Sequence, residues 1–249
     1  MMPLILLVTA LWSQYAFSNS CSDLLGRSQA VRAQHNGVDR LNFRLVDPNY
    51  KVLVLARHGK AMPRNKFSTE VVRNNPKKAR LDKKRPLLKR GKESAMRLSH
   101  VLGQLSFQNV GFWGSDAKRV KSTAKPTKKM LGNRLVFKSF EKDLYYADVP
   151  TEMHTRLTSD TGESISHAFF WGHGDTTVQL VKELTGANFG FLPTGGVMII
   201  AVKADTWEQA FQAAHGDTEI YTWSPNGTHY IQSLDTKPIE KFELVHDSE

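Results

Sequence analysis

Three short stretches place cations, imidazoles and glycines directly after apolar runs. Arg57-His58-Gly59 follows KVLVLA (Lys51–Ala56), and Gly172-His173-Gly174 follows AFFW (Ala168–Trp171). Gly114-Ser115 follows Val110–Trp113, with Arg119 one turn further on. Arginine offers a planar fork that matches phosphate oxygens, and a neutral imidazole can attack phosphorus. A strand-end glycine lets a ligand approach the backbone closely. The spread charge of a phosphoryl-transfer transition state needs such a clamp. One His beside a Gly at a strand end is ordinarily structural; recurrence of the pattern after three runs gives it weight. Spacing alone fits both a phosphate-handling enzyme and a non-catalytic anion-binding site.

For these residues to meet, the apolar runs must be neighbouring strands, because ligands of open α/β sheets bind at the carboxyl ends of strands. Lys51–Ala56 is short, continuous and β-branched, as a buried parallel strand requires. Val110–Trp113, Leu135–Phe137, Ala168–Trp171 and Val197–Val202 read the same way. Between them, helical spacing predicts helices over Arg90–Leu105, Asp116–Leu131, Asp175–Leu184 and Trp207–Ala214. Tyr221–Trp223 and Tyr230–Ile231 suggest a closing edge or hairpin around Asn226-Gly227. The alternation predicts an α/β three-layer sandwich with a mostly parallel central sheet. Residues 19–249 read as one domain, with a basic, core-poor insertion near 64–93 expected to be a solvated or mobile loop.

The chain has 249 residues, 40% hydrophobic, with a formal charge of +10, which excludes a wholly disordered or collagen-like chain. A single cysteine, Cys21, excludes an internal disulfide framework and a zinc site built mainly of thiolates. The charge is uneven: residues 1–142 carry 29 Lys and Arg against 8 acids, and residues 143–249 carry 5 against 16. Residues 64–93 alone hold 12 cations against 3 acids. This segment reads either as a solvated loop or as the border of a pocket that draws in a polyanionic substrate or an anionic surface. No aromatic side chain interrupts Lys77–Lys92, which argues against a nucleic-acid partner. Pro3–Trp12 is too short to span a bilayer and resembles the apolar core of a secretory signal, with Ala16-Phe17-Ser18 at the cleavage point. Export to a periplasmic or extracellular compartment is expected, with no transmembrane span in the mature chain. Ser20-Cys21 keeps a lipid anchor on Cys21 open as an alternative. Asn226-Gly227-Thr228 is a turn that also fits a glycosylation acceptor.

Several stretches resemble the histidine phosphatase superfamily, the phosphoglycerate-mutase-like proteins, and within it the SixA-type phosphohistidine phosphatases. Leu53–Gly59 is similar to the strand and R-H-G signature, and Arg85–Gly91 to an R-P-L-T-x-x-G segment. Ser115–Ala124 is similar to S-P-x-x-R-A-x-x-T-A, with Asp116 for Pro, and Leu144–Ala147 to L-Y-x-A. Gly172-His173-Gly174 stands where that group has G-H-N, and Pro193–Gly196 resembles P-T-G-A. The resemblance implies a phosphoglycerate-mutase-like fold with His58 as nucleophile and a covalent phosphohistidine intermediate. Arg57, Arg119 and His173 would bind and polarise the phosphoryl oxygens, with no cofactor or metal. The substrate would be a phosphorylated small molecule or phosphoprotein, cleaved at a phosphomonoester or phosphoramidate. An idle phosphate-binding module and a phosphomutase are the alternatives. Many relatives protonate the leaving group with a carboxylic acid; Asp143, Asp148 and Glu152 lie in the relevant stretch, and none matches a motif.

Overall fold

The computed structural model describes residues 42–64, 72, 74–145, 148–185, 192–212, 218–225 and 229–233. Contacts divide the chain after Phe43, and the fold below is that of the unit starting at Arg44. Met1–Ser18, Cys21 and Asn226-Gly227-Thr228 lie outside the described residues.

Strand β1 (Tyr50–Arg57) is buried along almost its whole length, as a strand covered on both faces must be. Its companions are β2 (Val110–Ser115), β3 (Leu135–Glu141), β4 (His167–Gly172), β5 (Val197–Lys203), β6 (Thr218–Trp223) and β7 (His229–Ser233). They form one seven-stranded sheet in the order β3-β2-β4-β1-β5-β6-β7. β1 pairs in parallel with β4 and places Arg57 opposite Gly172. β4 pairs in parallel with β2 and places Gly114 opposite Trp171. The three glycine-bearing strand ends therefore fall side by side on one rim.

β5 runs antiparallel to β1, and β6 antiparallel to β5, so β1–β4 and β6 share one direction while β5 and β7 oppose it. A hydrophobic run carries no sign of its direction. Here the chain reaches the rim first, at Pro193-Thr194-Gly195-Gly196, and then descends. The Gly196 carbonyl accepts from the Arg57 amide at 3.0 Å, and the Gly195 amide donates to the His58 carbonyl at 3.1 Å.

The helices are α1 (Pro76–Lys83), α2 (Lys89–Gly103), α3 (Lys118–Leu131), α4 (Val149–Leu157), α5 (Asp160–Glu163), α6 (Gly174–Thr185) and α7 (Trp207–Gln212). α2 packs on α3, and α4 packs on α6 and α7. Leu53, Leu55, Phe170, Met198 and Ile200 share a core with Met153, Leu157, Leu180 and Trp207 from the latter group. Alternation sends Phe169 and Trp171 to the opposite face, where they stack with Phe112, and Phe107 meets Phe169 edge-on. This is the three-layer α/β architecture that the alternation predicts. Among the described residues no helix is long and apolar enough to cross a membrane.

The stretch from 64 to 93 is not a loop throughout. Asn75 caps α1 by accepting from the Lys78 amide at 3.1 Å, and Pro76 starts the helix with its φ already set. Val72, Asp82 and Leu87 are buried. The sequence reading also passes over α4, although Val149, Met153 and Leu157 recur at helical spacing and are fully buried.

Candidate active site

His58 continues the line of β1 between its two neighbours. Its amide donates to the Gly172 carbonyl at 3.1 Å, and its carbonyl accepts from Gly195 at 3.1 Å. The ring Nδ1 lies 2.8 Å from the Gly59 carbonyl, which can only accept, so Nδ1 carries the proton and Nε2 presents a lone pair. That lone pair faces Nε of Arg119 at 3.2 Å. Gly59 permits a close approach: a Cβ there would lie 2.5 Å from the Gly91 carbonyl oxygen, so the loop after β1 packs directly on the start of α2. A hydrogen bond of 2.9 Å from the Leu88 amide to the Lys60 carbonyl fixes the same junction.

Arg119 stands in the first turn of α3 and is fully buried. Its guanidinium nitrogen Nη2 lies 3.4 Å from Nδ1 of His173, and Nε2 of His173 lies 3.2 Å from the Ser115 hydroxyl. A guanidinium only donates, so His173 accepts at Nδ1 and carries its proton on Nε2. The two imidazoles meet edge-on with centroids 5.3 Å apart. Arg57 hydrogen-bonds the Leu192 carbonyl at 2.7 Å, and its guanidinium lies over Gly174, where a Cβ would be 2.9 Å from Cζ. Gly174 thus leaves the space that Arg57 fills. All four expected residues occupy one rim: His58, Arg119 and His173 touch in series, and Arg57 flanks them.

No protein-family model matches the chain, and no curated protein matches it. Among solved structures, a protein of Nakamurella multipartitia described as the phosphohistidine phosphatase SixA is 20% identical. The match covers 71% of this chain and 96% of that one, with a TM-score of 0.52. A protein histidine phosphatase SixA complexed with tungstate is 17% identical, over 74% of this chain and 97% of that one, with a TM-score of 0.50. The fold is that of the SixA phosphohistidine phosphatases.

Within this SixA-type fold lies a residue that the sequence reading missed. Asp82, at the end of α1, accepts from Nη2 of Arg119 at 2.9 Å through Oδ2, and its backbone carbonyl accepts from Nη1 at 2.8 Å. Oδ1 takes Nε of Arg64 at 3.1 Å and Nε of Arg85 at 2.8 Å, and the Tyr145 hydroxyl donates to Oδ2. The Asp82 and Arg119 side chains are 2% and 1% exposed, so this ion pair works away from solvent. The available signal was an acid among cations, three residues ahead of Arg85-Pro86-Leu87.

None of the three carboxylates in the stretch after β3 is buried. Asp143 and Asp148 are exposed, with Asp148 accepting from the Thr151 hydroxyl, and Glu152 pairs with Arg156. No group of three His, Cys, Asp or Glu suited to hold a metal occurs among the described residues.

Burial, reinforced by Arg119 and opposed by the Gly59 carbonyl, lowers the His58 imidazole to about 3. Burial and then Arg119 hold His173 well below its usual range. Burial opposes ionisation of Asp82, but Tyr145, Arg119, Arg85 and Arg64 outweigh it and keep the carboxyl below its usual range. His58 therefore stays neutral and nucleophilic in mild acid. With the substrate's own ionisation corrected, kcat/KM for an aryl phosphate is expected to hold within about twofold from pH 7 to pH 5. An ordinary histidine would lose about 30-fold over that span, and a pH–rate profile separates the two. Stability has the same sign: unfolded histidines bind protons below about 6.5, so the folded state weakens as pH falls from there toward 3.

Proposed function

We propose that this protein is a phosphatase that uses His58 as nucleophile and passes through a covalent phosphohistidine. The observation that carries this reading is the His58 ring itself. Its proton is fixed on Nδ1 by the Gly59 carbonyl, and its Nε2 lone pair lies beside the Arg119 guanidinium. In the first step Nε2 forms a bond to phosphorus as the bond to the leaving oxygen or nitrogen breaks, while Arg57 and Arg119 hold the phosphoryl oxygens. In the second step a water oxygen bonds to phosphorus, the P–N bond breaks with its electron pair returning to Nε2, and the water's proton passes to solvent with the released phosphate. His173, neutral in the empty site, gains a reason to protonate when a phosphoryl dianion arrives, and it can then donate to a phosphoryl oxygen. Asp82 is ionised and held by arginines, and no stretch resembles a general-acid motif, so in this reading the leaving group departs with little protonation help. Aryl phosphates and phosphoramidates suit such a site. The likeness to SixA proteins supports a phosphorylated substrate of this kind.

The test is rapid quenching of the full chain with labelled aryl phosphate in the presence of a metal chelator. Acid-labile, base-stable label on the protein and continued turnover are expected. Turnover without such an adduct, or turnover that stops with chelation, would remove the mechanism. Export belongs to the same proposal: the apolar run Pro3–Trp12 and the small residues at Ala16–Ser18 support cleavage after Ser18. The mass of the mature N-terminus distinguishes that product from one acylated on Cys21.

A further inference from the structure

Two helices that build the site also turn basic stripes toward each other beside it. On α3 the residues Arg119, Val120, Thr123, Ala124 and Thr127 face inward, which leaves Lys118, Lys121 and Lys125 exposed at i, i+3 and i+7. The last turn of α1 contributes Arg80 and Lys83, and Lys84 caps it. These six cations line one cleft of about 500 Å³. The carboxylate in its lining is Asp116, which pairs with Lys83 at 2.8 Å. The cleft adjoins the site. Lys83 Nζ lies 4.7 Å from the centre of the Tyr145 ring, and that ring lies 5.2 Å from the His173 ring. Asp82 and Arg119 are chain neighbours of Lys83 and Lys118.

Helix stability accounts for only part of this pattern. Cations at the end of α1 complement its dipole. Lys118, Arg119 and Lys121 in the first turn of α3 oppose the dipole there, and no acid in that turn offsets them. Six cations converging on one cleft, two of them at positions unfavourable to their own helix, fit an anion better than they fit solvent.

We propose that the cleft between α1 and α3 is a second anion subsite, which holds a further phosphate of the substrate while the scissile phosphoryl group sits at His58. This rests on the phosphatase reading and narrows it: the substrate class is an oligophosphorylated molecule with at least two phosphate groups on one scaffold. Phosphate anhydrides also provide leaving groups that need little protonation, in keeping with the proposed mechanism. Soluble oligophosphates and phosphorylated lipid headgroups share this chemistry.

The test measures tripolyphosphate and inorganic phosphate as competitive inhibitors of p-nitrophenyl phosphate hydrolysis by the full chain. Three proteins are compared: the unmodified chain, a triple variant Lys118→Gln/Lys121→Gln/Lys125→Gln, and the same positions changed to Arg. Tripolyphosphate is expected to bind about tenfold or more tightly than phosphate to the unmodified and Arg proteins. In the Gln protein that preference should shrink to about twofold, while kcat/KM for the aryl phosphate moves by no more than about twofold. Equal inhibition of the unmodified chain by both anions overturns the subsite, as does a preference that survives in the Gln protein. Absence of aryl phosphate turnover would instead overturn the phosphatase reading. Calorimetric titration of the same proteins with tripolyphosphate and phosphate then judges the subsite by the same ratios. Phosphatidylcholine vesicles with and without a phosphatidylinositol bisphosphate distinguish the sources. Charge-dependent binding to the doped vesicles that the Gln protein loses supports a lipid headgroup; a tripolyphosphate preference of the unmodified chain, lost in the Gln protein and without vesicle binding, supports a soluble substrate.

Discussion

Replacing His58 with alanine is expected to lower kcat for aryl phosphate hydrolysis by about ten-thousandfold or more and to abolish the quenched phosphoenzyme. The size follows from the role. In the proposed role the imidazole forms and breaks the bond to phosphorus, so covalent turnover does not survive its removal. What remains is the positioning of substrate by Arg57 and Arg119, which can still favour slow attack by water. Binding should suffer less than turnover. Inorganic phosphate should still inhibit residual activity, or bind by titration, within about tenfold of the unmodified chain, because the guanidinium groups remain. Stability should change modestly: the substitution removes the acceptor of one Arg119 donor, at a cost of about 1–3 kcal/mol. A variant that turns over at more than a tenth of the normal rate would show that the nucleophile lies elsewhere.

The second large effect belongs to Asp82. Asp82→Ala leaves Arg119 buried without its counter-charge and removes the shared acceptor of Arg64 and Arg85. Breaking a buried pair in this way costs about 3–5 kcal/mol of stability, which chemical denaturation measures directly. Activity should fall too, because the carboxylate fixes the plane of the guanidinium that faces His58. A loss of about a hundredfold in kcat/KM is expected in Asp82→Ala, with a smaller stability loss in Asp82→Asn, whose amide oxygen can still accept. The pair should be strongly non-additive. In a cycle with Arg119→Ala, the double variant should be little worse than either single change, since each already disables the unit. Simple addition of the two losses would mean that Asp82 acts on something other than Arg119.

Much of the fold was legible because its elements are local. Apolar runs such as Lys51–Ala56 and Val197–Val202 declare strands, and the spacing of Ala95, Leu98 and Leu102 declares α2. The site was legible for a related reason: Arg57-His58 and Gly172-His173 follow strands that parallel pairing brings side by side, so chain position predicts spatial position. Direction and long-range partnership were not legible. The reversal of β5 depends on where the turn at Gly195-Gly196 hydrogen-bonds, and hydropathy holds no trace of that. Asp82 was hidden for a similar reason. Among twelve cations between 64 and 93, one acid looks like part of a solvated surface. Only the fold shows that this acid is buried and that Arg119, far along the chain, shares it with Arg85 and Arg64.

The amide and carbonyl of His58, bonded to Gly172 on one side and Gly195 on the other, have a consequence for motion. Active-site residues often sit on segments that open on their own, at a small fraction of the energy of global unfolding. His58 lies between two central strands, so its amide proton is shielded from exchange until those strands separate. Its ring therefore belongs to the most cooperative part of the molecule. Under the proposed mechanism, adaptation to different substrates falls to the surrounding side chains and rim segments, while the attacking atom stays where the sheet holds it.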